Sequence, residues 1–85
     1  MKISKILIKR LAPNKGHIGF CSVVIDEWLY LGNIAIFTRL NKEPNIRLVF
    51  PEKKVGEKKL QIFYPLSSSE YFQLEKAIFD KLQEI

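Results

Sequence analysis

Short runs of β-branched, aliphatic and aromatic residues, separated by turn-forming residues, constrain this chain more than any other feature. Three of these runs lie in its first half, at 3–12, 17–25 and 28–37. Pro13, Asn14 and Gly16 separate the first run from the second, and Asp26 with Glu27 separates the second from the third. Because the runs favour strands and the separators favour turns, the pattern predicts three strands, of which the second and third form an antiparallel hairpin.

Two shorter runs and one longer segment of different periodicity complete the chain. The two runs lie at 46–50 and 59–64. Pro51 stops the first of them and Pro65 stops the second. After Pro65 the apolar residues change from every second position to the three-or-four spacing of a helix. Ser67 and Glu70 have the spacing of a capping box, so we expect a helix from about 68 to 84.

The order of these elements predicts an α+β fold, with one curved antiparallel β-sheet of about five strands followed by one C-terminal amphipathic helix. Apolar residues make up 47% of the sequence, which suits an ordered and compact chain. With 85 residues we expect a single domain, 1–85, near the lower size limit at which a chain buries its own core.

The third run is apolar on both of its faces. Strict alternation divides its side chains into two sets, Trp28, Tyr30, Ile34 and Ile36 against Leu29, Leu31, Asn33 and Phe37. One helix covers only one face of a sheet, so we expect a second copy of the chain to cover the other. Gly32, in the middle of the run, indicates a β-bulge or a close approach of two backbones.

The sequence offers little for catalysis. His17 is the only histidine and Cys21 the only cysteine, so a metal site within one chain would have to rest on carboxylates. No acidic residue is placed to orient His17 as a catalytic base. The four glycines never cluster into a phosphate-binding loop. We therefore expect no catalytic residue, no metal, no cofactor and no small-molecule substrate, and hence no enzyme.

The chain also lacks the marks of a membrane or secreted protein. No apolar run approaches the roughly 20 residues that a membrane-spanning helix needs, and the first residues lack the features of a signal peptide. Cys21 has no second cysteine to pair with inside the chain and lies in an apolar run, which indicates a buried reduced thiol. We expect a soluble, unprocessed protein of the cytoplasm.

The net charge of +5 directs attention to the segment around Gly56. One lysine pair precedes this glycine and another follows it: Lys53, Lys54, Lys58 and Lys59. Arg47 alternates with the buried side of the preceding strand, which would bring it to the same sheet edge. Such cations neutralise phosphates, and aromatic rings nearby stack on unpaired bases. A second interpretation stays open, because lysine-rich hairpin tips often serve only solubility or protect a sheet edge.

Five stretches, taken in order, carry a resemblance to a known family. They are "ISKILIKRL", "GFCSVVID", "LYLGNIAIF", "VFPEKK" and "GEKKLQIFYPL", followed by the C-terminal helix. In this order they resemble the stage V sporulation protein G (SpoVG) family of bacterial septation and sporulation regulators, over about Ile3 to Leu82. Members are small dimeric proteins with a β-sheet and a C-terminal helix that bind DNA, and in some cases RNA.

The resemblance implies roles for two basic pairs. Lys9 and Arg10 match the basic end of the family's first strand, and Lys53 and Lys54 match its basic pair after a proline, where they would contact the nucleic-acid backbone. The chain departs from the family's pattern at several positions, among them Glu52, Gln61, Tyr71 and Ala35.

Three hypotheses follow for the function. The first is a homodimeric nucleic-acid-binding regulator, with DNA or RNA as its partner. Its candidate contacts are Lys53, Lys54, Lys58, Lys59, Arg47, Lys9 and Arg10. The second is a protein-protein interaction module of the same fold that binds a host or cell-division factor. The third is a purely structural domain.

Overall fold

The computed structural model of the chain describes residues 2–40 and 45–84. Within those ranges the elements are β1 Ile3–Asn14, β2 His17–Ile25, β3 Leu29–Thr38, β4 Ile46–Val49, β5 Glu52–Val55, β6 Lys58–Gln61 and α1 Ser68–Glu84. Strands β1 to β4 form one antiparallel sheet in sequence order, and β5 pairs with β6 in a separate two-stranded sheet. The predicted α+β fold is confirmed, although its strands divide between two sheets. The centre of the predicted polar loop, 41–44, lies outside the described residues.

Tight turns join the first three strands. Lys15 and Gly16 both take positive φ between β1 and β2, and Asp26 and Glu27 do so between β2 and β3. The Trp28 amide closes the second turn by donating to the Ile25 carbonyl at 3.2 Å. Positive φ at both turn residues matches the right-handed twist of the flanking strands. The predicted hairpin is therefore confirmed.

A β-bulge in β3 changes which side chains face the helix. Opposite Ser22, β3 carries two residues, Gly32 and Asn33, and Asn33 takes a φ of 60°. The bulge predicted at Gly32 is thus confirmed, but the predicted alternation across it is wrong. The extra residue shifts the register by one, so that Ile34 lies on the side of Leu31 and not on that of Tyr30.

The core lies between one face of the four-stranded sheet and α1. Its buried apolar side chains come mainly from the inner strands and the helix: Cys21, Val23, Ile34, Ile36, Ile46, Leu74, Ile78 and Leu82, with Leu48 and Phe50 at the β4 edge. The helix has the bounds that its periodicity predicts. Ser67 lies at its start, where its carbonyl accepts from the Tyr71 amide at 3.2 Å.

The single cysteine lies inside this core. Cys21 is 2% exposed, so the prediction of a buried thiol is confirmed, and burial raises its pKa to about 12. A thiol whose pKa lies so high stays protonated and unreactive at neutral pH. Among the described residues, no helix combines the length and apolar composition that a bilayer span requires.

Candidate nucleic-acid interface

The lysine-rich segment around Gly56 is a two-stranded ribbon. The sequence predicts a loop between two strands here, but β5 and β6 occupy most of it, and the turn is confined to Gly56 and Glu57. Gly56 takes a φ of 62°, which glycine adopts without strain. The Ile62 amide donates to the Pro51 carbonyl at 3.0 Å and ties the base of the ribbon together. All residues of β5 and β6 are exposed, so the ribbon forms an arm in solvent.

Register divides the four ribbon lysines between two faces of this arm. Lys54 lies opposite Lys59, whereas Lys53 lies opposite Leu60 and Lys58 opposite Val55. Cross-strand partners share a face and consecutive residues do not, so Lys54 and Lys59 lie on one face and Lys53 and Lys58 on the other. The four lysines therefore do not share one face of the ribbon, because the segment is extended and its side chains alternate.

The ribbon contains an unfavourable pair of like charges. Like charges directly opposite each other in an antiparallel pair are destabilising, and Lys54 and Lys59 are such a pair. In the described part of the chain, no ion pair involves a ribbon lysine. Glu52 lies opposite the neutral Gln61, on the same face as Lys54 and Lys59 but directly opposite neither of them. An anion placed along the arm would relieve this repulsion.

The sheet face turned away from the helix is the second part of the interface. Register places the following side chains on this open face: Lys5, Leu7 and Lys9 of β1, His17, Phe20, Ser22 and Val24 of β2, Tyr30, Ala35 and Phe37 of β3, and Arg47 and Val49 of β4. None of the described residues covers them. No strand from β1 to β4 contains an acidic residue, so the charged side chains of the open face are all cations.

Stacked rings occupy one end of the open face. The His17 ring is stacked on Phe37 at a centroid distance of 4.8 Å, and its edge meets Phe20 at 4.7 Å. From β4, the Arg47 guanidinium lies 4.9 Å from the centre of the Phe37 ring. The His17 Nε2 donates to the Gly19 carbonyl at 3.0 Å, which fixes the ring. Phe37 is thus held between an imidazole and a cation.

Tyr30 occupies the other end of the open face and lies along the sheet. Its hydroxyl donates to Ser22 Oγ at 2.9 Å. Its ring covers Gly32, where an added Cβ would come within 3.1 Å of ring atoms. Despite these contacts Tyr30 remains 62% exposed, so one ring face rests on the backbone and the other meets solvent.

The two residues of the first predicted basic pair point in opposite directions. Lys9 lies opposite Phe20 on the open face. Arg10 lies on the helix side, where its Nη2 donates to the Leu82 carbonyl at 2.8 Å. This carbonyl belongs to the last turn of α1, where a cation and a hydrogen-bond donor are both favourable. Arg10 is therefore better explained as a cap of α1 than as a nucleic-acid contact.

Two of the departures from the family pattern have visible structural roles. The Tyr71 hydroxyl accepts a hydrogen bond from the Leu48 amide at 3.1 Å, and its ring meets Phe50 edge to face. Burial, followed by the neighbouring Glu75 carboxylate, raises the Tyr71 pKa above its usual range. Ala35 lies on the open face between Phe20 and Val49. Tyr71 thus ties α1 to β4, whereas Ala35 leaves room between larger neighbours.

An apolar patch lies beside the start of α1. Its exposed side chains are Ile62, Tyr64, Leu66 and Phe72, and Leu66 is 91% exposed. Beside Tyr64 and Leu66 a cavity of about 370 Å³ opens between the helix and the start of β3, lined also by Leu29, Leu31 and Phe63. Sequence analysis did not find this patch, because it reads Tyr64 as part of a strand.

Comparison with known proteins adds no identification. A scan of the chain against models of protein families finds no match, and a search of the curated proteins finds none either. The resemblance to the SpoVG family therefore rests on the residues quoted above and stays a prediction. Among the described residues, no three histidine, cysteine or acidic side chains come together as a possible metal site.

Proposed function

We propose that this chain is a small, non-enzymatic nucleic-acid-binding regulator of the cytoplasm, which acts as a homodimer. The ribbon and the cations of the open face would contact phosphates. The observation that carries the proposal is the excess of cations on these two surfaces. Lys54 and Lys59 face each other without a carboxylate between them, and the four strands of the larger sheet carry cations but no acids.

A polyanion explains this arrangement better than solubility alone. A soluble surface normally mixes both signs of charge, whereas repulsion between aligned cations lowers stability unless a negative partner is present. The major groove of DNA admits a two-stranded β-ribbon, and phosphates then line both sides of it. Lysines on both faces of an arm suit such a position. The resemblance to the SpoVG family supports the regulatory role.

The test measures the affinity for a short DNA duplex at several salt concentrations. We expect the affinity to fall steeply as the salt is raised, because bound cations release the counterions of the phosphates. Replacing Lys54 and Lys59 with glutamine should lower the slope of log affinity against log salt by about 1.8, at about 0.9 per phosphate contact of a duplex.

A second double variant provides the matched control. Lys76→Gln with Lys81→Gln removes the same charge from α1, which packs on the other face of the sheet, and should leave the slope unchanged. If both double variants lowered the slope equally, the ribbon lysines would act only through the net charge of the protein and not through specific phosphate contacts. Binding that does not depend on salt, or no binding to either duplex or single-stranded nucleic acid, would remove the proposal.

The apolar patch supports the homodimeric part of the proposal. A twofold interface uses the same surface on both copies, so it needs a projection and a recess side by side. Leu66 projects into solvent next to the 370 Å³ cavity, which meets this need. We expect a dimeric mass in light scattering, and a monomeric mass for Leu66→Glu without loss of thermal stability. A dimer that survives Leu66→Glu would exclude this patch as its interface.

The same patch favours one alternative function, a protein-protein interaction module. An exposed apolar patch on a small domain marks a site for another protein when no second copy covers it. A wild-type chain that is monomeric and binds no nucleic acid would select this alternative. Its partner would then be sought with wild-type protein and Leu66→Glu in parallel.

A further inference from the structure

We propose that the open face binds single-stranded nucleic acid, with an unpaired base stacked on Tyr30 and the neighbouring phosphates held by Lys5, Lys9 and Arg47. This inference rests on the proposed function and adds the class of substrate. The chemistry it requires is a flat, exposed ring on a rigid support, surrounded by cations. The open face provides each of these.

Tyr30 is the part of the face that suits a base. Its ring rests on Gly32 and its hydroxyl is held by Ser22, so the ring is fixed before any partner arrives. Its outer side is open, and the residue is 62% exposed. Side chains ordered in advance lose little entropy on binding. The ring of Phe37, in contrast, already lies between His17 and Arg47 and has no comparable free side.

The neighbours of Tyr30 extend the platform. Trp28 lies two residues before it and is 77% exposed. Phe20, on the adjacent strand towards the other end of the open face, is 38% exposed. Successive bases of a single strand stack on rings arranged in this way, and they do so with little dependence on sequence. A duplex keeps its bases stacked on one another and would not use these rings.

Cations flank the rings on both edges of the sheet. Lys5 and Lys9 belong to the edge strand β1, and Arg47 belongs to the opposite edge strand β4. The acids nearest to Tyr30 in the sequence are Asp26 and Glu27, in the turn before β3. Lys2 contacts both of them, with its amide on Asp26 at 3.2 Å and its Nζ on Glu27 at 3.3 Å. The field over the strands is therefore positive and attracts phosphates.

The same charge argues against a second copy of the chain on this face. Two copies related by a twofold axis would bring the same surface together, and this surface contains no acid to meet the cations of the other copy. The earlier expectation that a second copy covers this side of the third run is therefore replaced here by a polyanion. A second copy remains one outcome of the test.

The experiment compares oligothymidylate with a DNA duplex of similar length. The fluorescence of Trp28, the single tryptophan of the chain, reports binding directly. Tyr30→Leu keeps an apolar side chain but removes the ring. We expect it to weaken oligothymidylate binding about 5- to 150-fold, the range for loss of one stacked base, and to leave duplex binding unchanged.

Two matched variants control for the ring itself. Tyr64→Leu removes a tyrosine that is 51% exposed but lies off the open face, in the patch proposed for dimerisation, and should leave the affinity of each protomer for both probes unchanged. Tyr30→Phe keeps the ring and loses only the hydrogen bond to Ser22, so it should retain most of the affinity for the single strand. Thermal unfolding of each variant shows that the fold is intact.

The outcomes separate this inference from the proposed function. Unchanged oligothymidylate binding in Tyr30→Leu, with salt-dependent duplex binding through the ribbon, would overturn the inference alone. Absence of binding to both probes by the wild-type protein would overturn the proposed function as well. A change in oligomeric state in Tyr30→Leu, with no change in affinity per protomer, would assign the face to a second copy and also overturn the inference.

Discussion

Arg39 Nη2 lies 2.8 Å from Glu75 Oε1, and the Glu75 side chain is completely buried. The pair joins the residue that follows β3 to the middle of α1. The Glu75 carboxylate has no contact with solvent, whereas the Arg39 side chain is 20% exposed. The helix thus carries a charge into an otherwise apolar interface, and that charge is held by one cation from the sheet.

Replacing Glu75 with alanine should strongly destabilise the fold. Removing one partner of a buried ion pair leaves the other with its desolvation uncompensated, at a cost of about 3 to 5 kcal/mol. We expect a value near the lower end, about 3 kcal/mol, because Arg39 keeps some contact with solvent. The measurement is the free energy of unfolding in urea.

Asp80→Ala provides the control within the same helix. Asp80 pairs with Lys76 at 3.3 Å, but both side chains are more than half exposed. Such pairs contribute about 0.3 to 0.5 kcal/mol. Similar losses in the two variants would mean that burial of Glu75 adds nothing to the pair.

Lys9 and Arg10 should separate binding from stability, although they are neighbours. Arg10→Gln removes the hydrogen bond to the Leu82 carbonyl and the favourable charge at the helix end, so we expect a loss of about 1 to 2 kcal/mol in unfolding free energy. Nucleic-acid affinity should hardly change. Lys9→Gln should weaken nucleic-acid binding and hardly change the unfolding free energy. Affinity is measured by gel shift. A loss of affinity in both variants would mean that Arg10 also contacts the nucleic acid.

The sequence predicts the fold well wherever a local signal decides it. The helix Ser68–Glu84 follows from a change of periodicity after Pro65, and the hairpin at Asp26 follows from its turn residues. The bulge is predicted at Gly32, yet its consequence for the neighbouring side chains is not. One extra residue moves every following side chain of the strand to the opposite face of the sheet, and strict alternation does not allow for it.

The site is predicted less well, because it depends on pairing between strands. The lysine positions are plain in the sequence, but their faces depend on the register of Lys54 with Lys59. Arg10 looks like part of a basic pair until the fold brings Leu82 beside it. Tyr30 is exposed only because the bulge turns it away from the helix. For the lysines and for Arg10 no signal lies within a few residues of the side chain, and for Tyr30 the nearby Gly32 signals the bulge but not the side on which the ring lies.

Gly19 is the position where the sheet tolerates substitution least. A Cβ added there would lie 2.6 Å from the Lys9 carbonyl oxygen and 3.4 Å from the Arg10 Cα. Both atoms belong to the backbone of β1 and move only with the strand. We expect Gly19→Ala to destabilise the protein by about 1 to 3 kcal/mol. Gly32→Ala, where the close atoms belong to the side chain of Tyr30, should cost less in the same unfolding assay.

The buried thiol should make stability fall on the alkaline side. Burial raises the pKa of Cys21 from 9.0 to about 12, so the folded state keeps its proton where the unfolded state loses it. Its contribution is complete below pH 9.0 and is lost as the pH rises towards about 12. A single group of this kind lowers the unfolding free energy by at most about 1.4 kcal/mol per pH unit.

Cys21→Ala isolates this contribution from the other groups that titrate in alkali. The variant leaves a small cavity, so its unfolding free energy is lower throughout, but just above pH 9.0 its decline with pH should be flatter than that of the wild type. Tyr71, whose pKa is also raised by burial, keeps its own contribution in both proteins and adds to the decline only at higher pH. Parallel curves for the two proteins in urea unfolding would show that the thiol does not contribute to the alkaline loss.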